Sequence, residues 1–200
     1  MSGLSVKLQN IIVITPSLPA RNVKDYIALA KSKPGSMLFG SSGNGSPGHL
    51  AAVLLESMSG AQLTHVPYKG GSDASTAVLA GELHMTFASP TAALALRPRL
   101  RVLAVTSLAR DPSLPDVPTM DESGLKGYDA TFWLGLTAPA RTPQAIIKRL
   151  NALLRDAVSD PEVVKTLQRQ GLNAAPSSPQ ELTARIRADY AKWKRVLEAS

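Results

Sequence analysis

The stretch MLFGSSGNGSPGHLAAVLLESMSG, Met37 to Gly60, decides how this chain is read. It predicts a short strand, a loop of small residues and a helix that begins near Pro47. Ser46 is a good N-cap, and proline suits the first helical position, where a missing N–H costs nothing. Gly60 stands where a glycine closes a helix in the left-handed conformation. Between strand and helix, Ser41, Ser42, Gly43, Asn44, Gly45 and Ser46 offer hydroxyls and unobstructed backbone N–H groups. His49 falls in the first helical turn, where its ring is placed to donate to an anion. A loop of that composition opening onto a helix N-terminus suits a bound carboxylate or phosphate. Most such loops bind only water, because turns favour these residues anyway.

A rival reading uses the same residues. Gly43, Gly45 and Gly48 spell G-x-G-x-x-G after a strand, the pattern of dinucleotide-binding folds. That pattern also wants an acid at the end of the next strand, to hold the ribose hydroxyl. The next strand, Gln62 to Pro67, runs into Tyr68-Lys69 instead. An NADP-binding oxidoreductase domain is therefore the alternative, with Lys69 available for a 2′-phosphate.

The 200 residues suit one large domain or two small lobes with a real core. A hydrophobic share of 44% with 18% charged residues is that of a globular protein. The net charge of +7 comes from basic residues scattered along the chain, with no aromatic-interleaved cluster, so no nucleic-acid partner is expected. Cysteine is absent, which removes disulfides, thiolate metal sites and a cysteine nucleophile. No apolar run approaches the roughly 18 residues of a membrane span. The first residues, MSGLSVKLQNIIVITP, lack the apolar region and cleavage site of a signal peptide.

Outward from the focal stretch, strands and helices alternate. A strand is expected at Asn10–Thr15, a helix capped by Asn22, a strand at Gln62–Pro67, and a helix from Asp73 capped by Ser72 and closed by Gly81. A strand at Leu83–Ala88, a short helix from Pro90 and a strand at Arg101–Ser107 follow. This order implies right-handed crossovers and a largely parallel sheet. After a Pro-, Asp- and Ser-rich stretch with one helical turn near Thr119, a strand is expected at Thr131–Ala138. Three helices then open at Thr142-Pro143, Asp160-Pro161 and the capping box Ser178-Pro179-Gln180-Glu181.

Small residues precede a helix start at Ser41–Ser46, at Gly70–Ser72 and again at Ser89-Pro90-Thr91. In an open parallel sheet these loops line one edge, where ligands bind. They offer donors and almost no charge. No G-x-S-x-G elbow and no paired carboxylates accompany them, and His49, His65 and His84 lack metal-ligand spacing. That favours reversible capture over turnover, with no catalytic residue, no metal and no cofactor.

With these residues in view, the chain resembles the substrate-binding proteins of tripartite tricarboxylate transporters, the Bug or TctC-like family. The matching stretches include FGSSGNGSPGHL, THVPYKGG, LRVLAVTS and LPDVPTMDESGLKGYDATFWLGLTAPARTP, in family order. The resemblance implies an α/β, periplasmic-binding-protein-like (type II) fold and a periplasmic receptor that passes a small carboxylate to membrane permease subunits. It implies a ligand wall of Ser41 to Ser46 with Tyr68, Lys69, Gly70 and Gly71. Ser89 stands where members often carry Asp or Asn. It further implies that 1–15 is a remnant of lobe one and the first hinge strand, 16–130 is the ligand-binding lobe, 131–139 is the second hinge strand, paired with Asn10–Thr15, and 140–200 holds returning helices of lobe one. A signal peptide and a PFPPGG-like loop belong to the family and are not in this sequence, so an N-terminally truncated receptor is expected, and a third reading is a truncated receptor that no longer binds. The helical stripes Ile146, Leu150, Leu153, Val158 and Leu182, Ile186, Tyr190, Trp193 would then lack cover, and self-association through the tail is expected.

Overall fold

A computed structural model describes residues 4–198. The ends of the expected segments 1–15 and 140–200 lie outside the described residues. The chain forms two units, the larger built on Gln9–Thr131 and the smaller on strand β1 (Leu4–Leu8) with Phe132–Arg195.

In the larger unit the order is β2 (Ile11–Ile14), α1 (Val23–Ser32), β3 (Met37–Ser41), α2 (Pro47–Ser59), β4 (Leu63–Pro67), α3 (Gly71–Ala80), β5 (Met85–Ala88), α4 (Pro90–Leu96) and β6 (Arg101–Val105). The five strands lie in the order β4-β3-β5-β2-β6. The α/β class stands, and four of the five strands share one direction as a largely parallel sheet requires, with β2 the exception. β3 pairs in parallel with β4 and β5, whereas β2 runs antiparallel between β5 and β6. β2 precedes every crossover, so no βαβ connection fixes its direction. Its four residues are fully buried, as expected of an apolar run covered on both faces. The strand expected at Thr131–Ala138 does not pair with Asn10–Thr15. It shortens to β7 (Phe132–Leu134) and pairs with β1, Leu8 opposite Phe132.

Local punctuation sets the helix limits. The Ser46 Oγ accepts from the His49 N–H at 3.4 Å, Pro47 takes the first position, and Gly60 closes α2 at φ 70°. The Asn22 side chain caps α1 by accepting from Asp25 N–H at 2.9 Å. The turn expected near Thr119 forms, its Oγ1 accepting from Glu122 N–H while the Glu122 carboxylate accepts from Thr119 N–H. α3 differs from expectation. It begins at Gly71 with Gly70 as its cap, so Ser72 lies inside the first turn and caps nothing.

The smaller unit adds α5 (Gln144–Ser159), α6 (Pro161–Arg169), β8 (Asn173–Pro176) and α7 (Pro179–Glu198). A three-stranded antiparallel sheet, β7-β1-β8, holds it together. Asp160 caps α6, and Ser178 and Glu181 cap α7 reciprocally, as the sequence predicts. The start of α5 falls one residue late, with Pro143 in the cap position. α5 buries Ile147, Asn151 and Val158, and Asn151 Nδ2 donates to the Ser177 carbonyl at 2.9 Å. Of the expected stripe only Val158 is buried there. Ile146, Leu150 and Leu153 stay exposed, as does Tyr190 at 71%.

One close approach fixes α3 on the sheet. A Cβ at Gly40 in β3 would stand 2.8 Å from the Ala74 Cβ and 2.6 Å from Leu83 Cδ1. Real side chains do not approach so closely, so only glycine lets α3 sit this near. Gly40→Ala should therefore cost about 1–3 kcal/mol in urea unfolding of the larger unit. An unchanged midpoint would show that α3 does not pack there.

Candidate ligand cleft

The sheet pairing brings the site together. Ser41, the last residue of β3, lies opposite Pro67, the last residue of β4. The Tyr68 N–H donates to the Ser41 carbonyl at 2.9 Å and carries that register into the loops. α2 and α3 consequently start at one edge of the sheet. Beside their first turns lies a cleft of about 610 Å³ within the larger unit. Ser41, Ser42, Gly71, Ser72 and Ser89 form part of its wall, with Asn10, Ser75, Thr76 and Thr86 also contributing polar atoms. Leu79, Ala92, Ala95 and Leu96 supply an apolar side, and Arg99 is the one charged residue in the lining.

Several of these hydroxyls already have partners. The Ser75, Thr76 and Thr86 hydroxyls donate to the carbonyls of Gly71, Ser72 and Gly40 at 2.8–3.0 Å. Ser89 Oγ caps α4, accepting from Ala92 N–H at 3.3 Å. The Ser42 and Ser72 hydroxyls have no hydrogen-bond partner among the described residues, and both residues are exposed. They and the uncommitted N–H groups at the start of α3 are donors the cleft offers at its polar end. No carboxylate lines it, so nothing there repels an anion.

Behind the first loop sits an aromatic stack. The His65 ring lies 4.7 Å from Phe39 and 4.4 Å from His49, centroid to centroid. His65 Nε2 is 2.6 Å from the Ser41 hydroxyl, which also accepts from Gly43 N–H at 3.1 Å. His49 Nδ1 accepts from Gly45 N–H at 3.3 Å. The two imidazoles thus brace the Ser41–Ser46 loop from inside. Burial lowers both histidine pKa values, and the His49 charge lowers that of His65 further. His84 is a satisfied structural residue, its Nδ1 accepting from Leu38 N–H at 2.9 Å.

Of the residues singled out from the sequence, the structure brings Ser41, Ser42, Gly71 and Ser89 to the cleft wall. Gly43, Asn44, Gly45, Ser46, His49, Tyr68, Lys69 and Gly70 stand in the adjoining loops and first turn, outside the lining. Gly43 and Gly45 take φ of 108° and 72°, so they shape the loop. The sequence places Ser72 in the Gly70–Ser72 loop at the ligand edge and also in a cap, and it does not single out Ser75, Thr76, Thr86, Arg99 or a ligand role for Asn10. Ser75 and Thr76 lie one turn beyond Gly71-Ser72, a spacing that could have found them. Nothing local marks Arg99 or Asn10.

The dinucleotide pattern fares poorly on steric grounds. Its third glycine exists to let a helix pack closely on the strand. A Cβ at Gly48 would meet its nearest neighbours, in Phe87 and Ser41, at an ordinary 3.6 Å. No group of three or more histidine, aspartate or glutamate residues gathers for a metal ion among the described residues.

The chain belongs to the tripartite tricarboxylate transporter family receptors, whose family model matches residues 4–200. It is 34% identical over 197 residues to a protein from the tcbD-tcbE intergenic region of Pseudomonas sp. (strain P51), covering 97% of this chain and 59% of that one. It is similar to the R. palustris protein Rpa4515, solved with adipate (TM-score 0.86, 31% identity, 98% of this chain and 66% of that chain). It is also similar to MatC (Rpa3494) from Rhodopseudomonas palustris, solved with bound malate (TM-score 0.80, 25% identity, 96% and 67%). The chain therefore spans about three fifths to two thirds of the length of these relatives.

The histidine pair predicts a pH dependence. A histidine whose folded pKa is depressed binds its proton more readily in the unfolded chain, so stability is full above the unfolded value and falls as pH drops through it. Exposed carboxylates stay ionised between about pH 7.5 and 5.5, and Glu56, whose pKa burial raises, works in the opposite direction to the histidines. The larger unit should melt at a lower temperature at pH 5.5, and His65→Gln should remove much of the difference. A melting temperature that is flat across this window in the unsubstituted protein would contradict it.

Proposed function

We propose that this chain is a non-catalytic receptor that captures a small carboxylate, a di- or tricarboxylate or an aromatic acid, in the cleft of Gln9–Thr131. The observation that carries the reading is the cleft's donor-rich, carboxylate-free wall, with Ser42 and Ser72 unpaired beside the start of α3. Family membership and the acids in the two solved relatives support it. Each hydrogen bond to a charged oxygen is worth about 1.5–3 kcal/mol, so a few suffice for micromolar affinity. The reading includes delivery to transporter permease subunits, a periplasmic site of action and a ligand-binding lobe corresponding to 16–130.

Calorimetry of the chain against adipate, malate, benzoate and NADPH tests this. A carboxylate should bind saturably, and Ser42→Ala with Ser72→Ala should weaken it by about 1–3 kcal/mol together. Saturable NADPH binding with no carboxylate heat would reverse the reading.

The smaller unit bears on assembly. Ile146, Leu150 and Leu153 on α5 present neighbouring apolar side chains that are 39–50% exposed. Faces of this kind associate. The chain should self-associate at micromolar concentration in sedimentation velocity, and Leu150→Glu with Leu153→Glu should return it to a monomer. A monodisperse unsubstituted monomer would refute that role for α5.

A further inference from the structure

The cleft is not uniform along its length. Hydroxyls gather at one end, where β3, β5 and the start of α3 meet. From there α4 lines it with Ala92, Ala95 and Leu96, positions i, i+3 and i+4 on one helical face, while Leu79 of α3 adds to the apolar side. Arg99 lies past the end of α4, where its N–H donates to the Leu96 carbonyl at 2.8 Å.

The arginines nearest to it in the sequence are committed. Arg97 pairs with Asp116, Arg110 donates to Glu122 at 2.9 Å, and Arg101 donates to the carbonyls of Leu18 and Ala20. The Arg99 guanidinium has no ion-pair or hydrogen-bond partner among the described residues, although it lines a cleft that holds no other charge. A cation left unpaired at the far end of an apolar passage is placed to meet an anion that arrives with the ligand.

We propose that Arg99 is the specificity-determining residue of the cleft, holding the distal carboxylate of a linear dicarboxylate with an apolar spacer. The inference rests on the carboxylate-capture reading above. The proximal carboxylate takes the Ser42 and Ser72 hydroxyls and the N–H groups at the start of α3, and the methylenes lie along Ala92, Ala95, Leu96 and Leu79. The seven residues of α4 separate Ser89 from the Arg97–Arg99 turn by about 10 Å, a gap that an arginine side chain folded back along the helix would shorten. A chain of roughly six carbons bridges what remains. The planar guanidinium can take both oxygens of a carboxylate at once, which a lysine at this position could not.

The test compares adipate with hexanoate, equal in length and differing at one end, by calorimetry on the full chain and on Arg99→Gln and Arg97→Gln. Adipate should bind about tenfold more tightly than hexanoate, the low end expected for a charged hydrogen bond at a solvent-exposed arginine. Arg99→Gln should bring the two within twofold, while Arg97→Gln, which alters a pair outside the cleft, should leave the ratio as it was. Equal affinities in the unsubstituted chain, a ratio that survives Arg99→Gln, or the same collapse in Arg97→Gln would each overturn the proposal. Hexanoate binding as tightly as adipate overturns this inference alone, whereas binding of neither acid overturns the carboxylate-capture reading along with it.

Discussion

The in-register parallel pairing of β3 with β4 is the constraint on which the site depends. Ser41 opposite Pro67 makes the two strands end at one level, and the Tyr68 N–H bond to the Ser41 carbonyl keeps the loops beyond them level too. A one-residue slip would turn Phe39 outward and displace every donor. β5 joins on the other side of β3, where Thr86 donates its hydroxyl to the Gly40 carbonyl at 2.9 Å and Gly40 itself admits α3. Helix starts and strand ends thus share one edge because backbone pairing and one missing Cβ leave them no other arrangement.

The loops at that edge show how a chain can offer donors without charge. Gly43 and Gly45 turn the backbone through conformations that side chains resist, and the His49–His65–Phe39 stack fills the space beneath. The cost is a pair of half-buried imidazoles whose pKa values burial lowers. The same stack engages Ser41, so the part of the wall that looks most reactive, a serine 2.6 Å from a histidine, is occupied with holding its own loop.

Much of this could be read from the sequence because helix punctuation is local. Ser46-Pro47 with Gly60, Asn22 with Asp25, and Ser178 with Glu181 each lie within a few residues of the backbone groups they satisfy. What could not be read depends on distant partners. β1 and β8 are short and pair only with strands far away in the chain, and the direction of β2 is set by neighbours on both sides. The apolar stripe of α5 that the sequence predicts, Ile146, Leu150, Leu153 and Val158, shares only Val158 with the buried face, which carries Asn151, whose amide finds the Ser177 carbonyl. Ser41, Ser42, Gly71 and Ser89 were legible as loop residues near helix starts. Arg99 was one basic residue among many, and only the pairing of its neighbours sets it apart.

The central claim is that the cleft of Gln9–Thr131 is where an acid binds. Amide chemical-shift mapping during titration with adipate tests it most directly, since it reports position without assuming any residue's role. The account predicts saturable shifts concentrated at Ser41, Ser42, Gly71, Ser72 and Ser89, with the amides of α5 and α7 unmoved. Shifts centred on Lys148, Asn151 and Arg155 of the smaller unit, or none anywhere, would contradict it.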